Sequence, residues 1–228
     1  MGRQRTKSIV LVSVGMDSCV CAAREARRGP TAFIHFSYSQ RTERRELNSF
    51  TAIARRLGVR ETLVIDLSAM RRIGGTTLLK GRGRIPAPRF RKGEVPSTYV
   101  PFRNGIMLAC AAAWAEVIGA RRLVIGAVEA DSTGYPDCRR RFLDAFSRAV
   151  SLGTKAGVRL RVEAPLVGMT KGEIVSHGVR IGAPFDLTWS CYAAEDRACG
   201  RCESCVLRLR GFHEAGVPDP IRYRGRRR

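Results

Sequence analysis

Short apolar runs alternate along the chain with longer segments in which apolar residues recur every three or four positions. The runs predict strands at Ser8–Val14, Thr31–Tyr38, Leu63–Leu67, Leu123–Ala127 and Val158–Val162. The periodic segments predict helices at Asp17–Arg28, Glu43–Leu57, Asn104–Ile118 and Arg139–Leu152, one that starts at Thr170 with Glu173 completing a capping box, and one that ends near Glu214. This alternation predicts a doubly wound α/β fold with a mainly parallel sheet, in which ligands bind at the carboxyl ends of the strands.

Glycine and proline interrupt the pattern at 68–98, which predicts a long loop or mobile lid. We therefore divide the chain into a nucleotide-binding α/β domain at 1–186, a four-cysteine module with a C-terminal helix at 187–221, and a basic tail at 222–228. No apolar run reaches the ~18 residues of a membrane span, and the N-terminus lacks the apolar core of a secretory signal. We expect a soluble cytoplasmic protein without a membrane partner.

The chain is strongly basic, with 41 Lys and Arg against 20 Asp and Glu, a net charge of +21. Such a charge invites a nucleic-acid partner. Only five of the basic residues are Lys, however, and this skew is more typical of codon bias toward Arg than of a phosphate-binding surface. Direct nucleic-acid binding is therefore the less favoured interpretation.

Four of the eight cysteines, Cys191, Cys199, Cys202 and Cys205, fall within fifteen residues. In a cytosolic chain this crowding indicates a metal site before disulfides. Four thiolates close a tetrahedral Zn²⁺ site, although the spacing also permits a redox or iron–sulfur centre. His35, His177 and His213 have no ligand-like spacing to the cysteines, and we expect them at the surface or in packing roles.

The segment Ser13–Ser18 lies between the first predicted strand and helix. Backbone amides and hydroxyls at a helix N-terminus suit a phosphate group, and Gly15 permits close approach of the backbone. An ordinary turn capped by Asp17 or Ser18 explains the same residues equally well.

The segment also resembles the Ser-Gly-Gly-x-Asp-Ser loop of the ATP pyrophosphatase (PP-loop) enzymes. The rest of the chain resembles the 7-cyano-7-deazaguanine synthase (QueC-type) family of those enzymes from about residue 8 to residue 221. The segments that carry this resemblance are Tyr38–Arg41, Val100–Asn104, Gly134–Arg139, Pro165–Leu166, Thr170–Ile174 and Leu187–Cys191.

The resemblance implies ATP-dependent adenylation of 7-carboxy-7-deazaguanine, attack by ammonia to give the amide, and a second activation that yields the nitrile. It implies ATP, Mg²⁺ and a structural Zn²⁺ held by the four cysteines. The resemblance assigns ATP binding to Ser13, Val14, Gly15, Met16, Asp17 and Ser18. It assigns catalysis to Asp17, Arg103 and Lys171. It assigns recognition of the deazaguanine base to Glu129, Asp131, Tyr135 and Asp137.

Five positions depart from the family pattern. Val14, Ser39 and Phe102 stand where the family has glycine, Thr42 replaces a histidine, and Ser132 occupies a commonly aromatic position. Because a β-branched residue disfavours the positive φ that glycine tolerates, we expect Val14 to keep a negative φ with ATP binding retained.

These departures keep two alternatives open. One is a diverged paralogue that couples the activated base to an amine of a protein partner in an antiviral defence system. The other is a tRNA-acting PP-loop enzyme or an RNA-binding zinc protein. A homodimer is open under each interpretation.

Overall fold

The computed structural model describes residues 6–81, 83–86, 95–129, 135–155 and 159–225. Its strands are β1 (Ser8–Leu11), β2 (Thr31–Ser37), β3 (Thr62–Asp66), β4 (Arg122–Ile125) and β5 (Arg161–Glu163). Its α-helices are α1 (Met16–Arg28), α2 (Glu43–Arg56), α3 (Met70–Ile73), α4 (Arg103–Ile118), α5 (Arg140–Gly153), α6 (Lys171–Arg180) and α7 (Glu203–Glu214).

The strands form one sheet in the order β3-β2-β1-β4-β5, and every pairing is parallel. Side chains of successive strand residues point to opposite faces, and both faces are covered. One face packs on α1, α2 and α6, as the buried cluster of Phe33, Phe50 and Ile174 illustrates. The other packs on α4 and α5 through Ile34 and Leu108. The predicted doubly wound, parallel α/β fold is confirmed.

Most predicted boundaries lie within a few residues of the observed ones. The first strand ends at Leu11 rather than Val14, because the chain leaves the sheet there to form the loop before α1. The fifth strand is confined to Arg161–Glu163, and its predicted start at Val158 lies outside the described residues. The capping box at Thr170 is confirmed by reciprocal hydrogen bonds with Glu173.

The described part of the predicted 68–98 loop packs onto the domain. It contains α3, and its Leu78 and Leu79 are buried in the core. Gln40 and Leu79 form an antiparallel bridge that ties this segment to the end of β2. Residues 82 and 87–94 of the predicted loop lie outside the described residues.

Two glycines permit the close contacts that position the site. A Cβ at Gly126, just after β4, would lie 2.8 Å from the backbone nitrogen of Ser18 at the start of α1. A Cβ at Gly211 in α7 would lie 2.8 Å from the Cβ of Lys171 in α6. The cysteine module therefore sits directly against the helix that carries Lys171. Among the described helices, none has the length and apolar character needed to cross a membrane.

Candidate active site

A cavity of about 260 Å³ opens at the carboxyl ends of β1, β2 and β4, where the fold class predicts ligand binding. Its wall combines the loop before α1, the start of α4 and the cysteine module. Eight predicted site residues line it: Ser13, Gly15, Met16, Asp17, Ser18, Arg103, Tyr135 and Lys171. Val14, Glu129 and Asp137 do not line it, and Asp131 lies outside the described residues.

The loop before α1 presents an uncapped helix N-terminus to the cavity. Gly15 is the N-cap residue and makes no side-chain capping hydrogen bond, so the first amides of this 13-residue helix face the cavity entrance. Ser13 Oγ donates to Ser18 Oγ at 3.2 Å, and Ser18 Oγ donates to the Gly15 carbonyl at 3.1 Å. Hydroxyls and free amides at this position suit a phosphate group.

Val14 adopts a φ of +61°, so the expectation of a negative φ is wrong. Ser39 and Phe102 also have positive φ, at +63° and +51°, and among described residues other than glycine these three alone do so. All three replace a glycine of the family pattern. The backbone therefore keeps the left-handed conformation that glycine favours, and the larger side chains bear a cost of roughly 1–2 kcal/mol each.

The other departure within the described residues is Thr42, whose hydroxyl donates to Glu46 at 2.6 Å. Gln40 Nε2 donates to the second oxygen of Glu46 at 2.9 Å. Burial raises the pKa of Glu46, and these hydrogen bonds act in the opposite direction. Thr42 thus satisfies a carboxylate that lines the cavity. Ser132 lies outside the described residues.

Asp17 and Lys171 form an ion pair at the cavity wall, with 2.8 Å between Asp17 Oδ2 and Lys171 Nζ. The lysine is largely buried, and the helix that carries it starts at the capped Thr170. The other carboxylate oxygen, Asp17 Oδ1, is buried and has no hydrogen-bond partner within the described ranges. A carboxylate oxygen without a partner among the described residues, beside a loop that suits a phosphate group, fits an oxygen-seeking cation such as Mg²⁺.

Arg103 lies at the start of α4, with its guanidinium over the Tyr38 ring at 5.8 Å from the centroid. Its Nη1 donates to Tyr38 Oη at 3.1 Å. Within the described residues it forms no ion pair, so its charge faces the cavity without a carboxylate partner. Arg103 is thus available to an anionic group of a ligand.

The three predicted base-recognition residues that the structure describes lie in three different environments. Tyr135 lines the cavity, and its hydroxyl lies 3.0 Å from Thr98 Oγ1. Asp137 is buried, and its Oδ2 accepts a 2.9 Å hydrogen bond from the backbone amide of Asn104 near the start of α4. Burial raises the pKa of Asp137. Glu129 is exposed and follows β4 outside the cavity, so base recognition by Glu129 and Asp137 stays a prediction.

The four cysteines converge, as their spacing predicts, with all four sulfur atoms within 4.8 Å of one another. The Sγ atoms of Cys199 and Cys205 are 3.9 Å apart. Four thiolates arranged tetrahedrally at ~2.3 Å from one ion lie about 3.8 Å apart, so the cluster fits a single metal ion. Gly200, with a φ of +71°, turns the backbone between the ligands.

Neighbouring groups donate hydrogen bonds to the sulfur of Cys191. Hydrogen bonds from Cys202 and Cys205 lower the pKa of Cys191, and the bond to Cys191 raises the pKa of Cys202 to about 12. Backbone amides of Ala193 and Cys199 also donate to Cys191 Sγ. Four ionised sulfurs this close require a cation to offset their repulsion.

Sequence reasoning missed two polar residues that line the cavity. His35 is fully buried, which agrees with the packing role that the sequence analysis allowed. Its Nδ1 lies 2.8 Å from the Val12 carbonyl, and its Nε2 has no partner in the described segments. Burial lowers its pKa, which favours the neutral ring. Glu203 lies between two cysteines of the cluster and reaches the cavity from α7. Its position next to Cys202 was the only available signal.

Known proteins resemble this chain over nearly its whole length. A family model described as queuosine biosynthesis protein QueC matches residues 7–216. The chain is 52% identical over 227 residues to the 7-cyano-7-deazaguanine synthase of Acidobacterium capsulatum, covering 98% of this chain and 99% of that protein. It is 51% identical over 221 residues to the 7-cyano-7-deazaguanine synthase of Koribacter versatilis, covering 95% of this chain and 93% of that protein.

Among solved structures, the chain resembles the U34-tRNA thiolase NcsA from Methanococcus maripaludis, which was solved with its [4Fe-4S] cluster. The TM-score is 0.50 at 14% identity, covering 80% of this chain and 58% of that protein. A likeness at this identity concerns the fold alone, and it agrees with the α/β fold described above. The names of the sequence relatives favour neither the protein-conjugating nor the tRNA-acting alternative.

Proposed function

The chain belongs to the QueC family, and on this premise we propose that it converts 7-carboxy-7-deazaguanine, ammonia and ATP into 7-cyano-7-deazaguanine. One observation carries the proposal. The N-terminus of α1 within the Ser13–Ser18 segment (the phosphate loop), the Asp17–Lys171 pair and Arg103, which forms no ion pair within the described residues, all face one cavity. A carboxylate substrate and the α-phosphate of ATP therefore have a common place to react.

The chemistry begins with a poor electrophile, because the charge of a carboxylate repels a nucleophile. In the first step a carboxylate oxygen attacks the α-phosphorus of ATP, and pyrophosphate leaves. Ammonia then attacks the acyl adenylate, and AMP and a proton depart to leave the amide. In the second activation the amide oxygen attacks the α-phosphorus of another ATP and pyrophosphate leaves, and loss of AMP and of both N–H protons then gives the nitrile.

The protein's contribution is to orient the reactants and to offset charge as it develops. The first amides of α1 and the hydroxyls of Ser13 and Ser18 hold the pyrophosphate portion of ATP. Lys171 approaches the same loop from α6 and offsets the charge that accumulates on the leaving pyrophosphate. No side chain needs to form a covalent intermediate.

Asp17 is the residue that would hold Mg²⁺. Its Oδ2 pairs with Lys171, and its Oδ1 stays buried and free of partners among the described residues, which leaves one oxygen for a cation. A bound Mg²⁺ neutralises phosphate charge in the ground state and as pyrophosphate departs.

The four-cysteine cluster is a closed Zn²⁺ site with a structural role. The short separations between its sulfurs favour one ion over a cluster in which each thiolate binds a different iron. The site has no open ligand position, and it fixes the start of α7 beside the cavity. Because its thiols must stay reduced, we place the enzyme in the cytoplasm.

Nucleotide products test the proposal. The purified protein, incubated with Mg-ATP, 7-carboxy-7-deazaguanine and an ammonium salt, should release AMP and pyrophosphate only when the deazaguanine is present. Release of ADP and orthophosphate would exclude the adenylation mechanism, and hydrolysis independent of the deazaguanine would exclude it as the substrate.

A further inference from the structure

Besides the residues of the loop before α1, the cavity wall contains two tyrosine rings together with an acidic and a basic side chain. Tyr135 and Tyr192 both line it, as do the carboxylate of Glu203 and the guanidinium of Arg103. The Tyr135 hydroxyl and the Glu203 carboxylate both lie within hydrogen-bond distance of Thr98 Oγ1. The cavity wall thus offers a carboxylate, a guanidinium and two aromatic rings to one ligand.

The Glu203 carboxylate is held by a short chain of hydroxyl groups. Thr98 Oγ1 donates to Glu203 Oε2 at 3.3 Å, and the Tyr135 hydroxyl lies 3.0 Å from the same Thr98 oxygen. Because Thr98 is buried, the surrounding protein restrains the positions of these hydroxyl groups. Glu203 Oε1 makes no hydrogen bond with the part of the chain that the structure describes, and it is free to accept from a ligand.

Neither charge is neutralised by an ion pair within the described residues. Nearby carboxylates are already engaged, since Glu46 accepts from Thr42 and Gln40, and Asp137 accepts from the Asn104 amide. An unpaired carboxylate and an unpaired guanidinium in one small cavity favour a ligand of complementary polarity.

We propose that Glu203 accepts the N–H edge of the deazaguanine ring while Arg103 binds its 7-carboxylate. This inference rests on the proposed function and names the residues that recognise its substrate. The ring N1–H and the 2-amino group offer two parallel donors, which suit a carboxylate, and the 7-carboxylate projects from the other ring of the bicycle. Tyr135 and Tyr192 provide surfaces for the flat ring.

Under this assignment the metal-binding module also contributes to specificity. Glu203 lies in the first turn of α7, between Cys202 and Cys205, so the same ligands that bind the metal fix the backbone of the recognition residue. Gly211 brings the same helix against Lys171. One helix, α7, thereby fixes the position of Glu203 relative to Lys171 of α6.

The experiment measures binding by calorimetry for two ligands, 7-carboxy-7-deazaguanine and its analogue without the 2-amino group. Wild-type protein should bind the parent ligand at least about tenfold more tightly, since removal of the amino group leaves a carboxylate oxygen unpaired. Glu203→Gln should weaken binding of the parent about 10- to 100-fold and binding of the analogue less than about threefold. The matched control Glu195→Gln, an exposed residue of the same module, should leave both affinities unchanged.

Metal content and the thermal midpoint, compared with wild type, establish that Glu203→Gln is folded. If that variant does not fold, the two ligands on wild-type protein still decide the question. Equal binding of both ligands by wild type, or an undiminished preference in Glu203→Gln, would overturn the assignment of Glu203 while adenylation of the parent ligand stands. A wild-type protein that neither binds nor adenylates the parent ligand would overturn the proposed function and this inference together.

Discussion

The backbone amide of Trp189 donates a 2.9 Å hydrogen bond to the carbonyl oxygen of Val14. This bond joins the segment that leads into the cysteine module to the loop before α1. Val14 is fully buried at a φ of +61°, a conformation that costs a β-branched residue roughly 1–2 kcal/mol. Surrounding contacts such as this one hold the loop in the shape that the glycine of related enzymes would adopt with less strain.

Because Val14 is strained, we predict that its glycine variant is more stable than its alanine variant. At an ordinary buried position the alanine variant is the more stable of the two. Val14→Ala keeps the left-handed penalty and loses apolar contacts, whereas Val14→Gly relieves the penalty. We expect Val14→Gly to unfold in urea with a free energy about 1 kcal/mol higher than that of Val14→Ala. ATP affinity should change less than ~tenfold in Val14→Gly, about 1.4 kcal/mol, because the loop shape is already present.

Val10 is the matched control, since it is fully buried in β1 with ordinary strand geometry. There the alanine variant should be the more stable by about 0.5–1 kcal/mol. The same order at both positions would mean that Val14 bears no conformational strain.

Lys171 is expected to act on the leaving pyrophosphate. Lys171→Met removes the charge and keeps most of the apolar stem, so AMP release should slow by roughly 10²–10³-fold. The control Lys80→Met removes an exposed lysine paired with Glu43 and should leave the rate unchanged. Equal rates for wild type and Lys171→Met would exclude electrostatic stabilisation by this side chain.

The cysteine cluster predicts one Zn²⁺ per chain by elemental analysis. Cys202→Ser should lose zinc and lower the thermal midpoint, because metal binding and folding of the module are linked. Cys110→Ser, at a half-buried α4 position outside the cluster, should keep the metal. Iron with sulfide in the purified protein, or a metal-free protein with an unchanged midpoint, would refute the structural zinc site.

His35 predicts a pH dependence of stability. Burial lowers its pKa in the folded chain below the usual 6.5, so the unfolded chain binds the proton more readily. The free energy of unfolding that neutral His35 contributes is therefore fully present above about pH 6.5. It is lost as the pH falls toward the lowered pKa of the folded chain. His35→Asn keeps a donor for the Val12 carbonyl but does not titrate.

Urea unfolding of wild type and His35→Asn at pH 7.5 and pH 5.5 measures this effect. The stability of wild type should fall relative to the variant at the lower pH, while protonation of the cysteines affects both proteins alike. A constant difference between the two proteins would show that His35 does not bind a proton on unfolding.

The fold and much of the site follow from local sequence features. Apolar periodicity predicts the strands and helices, and the cysteine spacing predicts a cluster whose sulfurs do converge within 4.8 Å. The capping box at Thr170 predicts the start of α6 because its hydrogen bonds span only three residues.

What sequence reasoning missed depends on contacts between distant segments. Valine by itself disfavours a positive φ, so local sequence does not predict the φ of Val14. Tertiary contacts such as the hydrogen bond from Trp189 impose it. Glu203 reaches the cavity because α7 packs on α6, and no local pattern encodes that packing. His35 is buried by its place in a central strand, although its spacing to other residues gave no sign of a role.

The identity of the reaction product tests the central claim most directly. Wild-type protein is incubated with 7-carboxy-7-deazaguanine, Mg-ATP and ¹⁵N-labelled ammonium, and the products are read by mass spectrometry together with the AMP formed. We predict free 7-cyano-7-deazaguanine carrying one ¹⁵N atom, with two AMP released for each nitrile. An amide that accumulates without nitrile, or a deazaguanine mass added to a protein amine, would contradict the account.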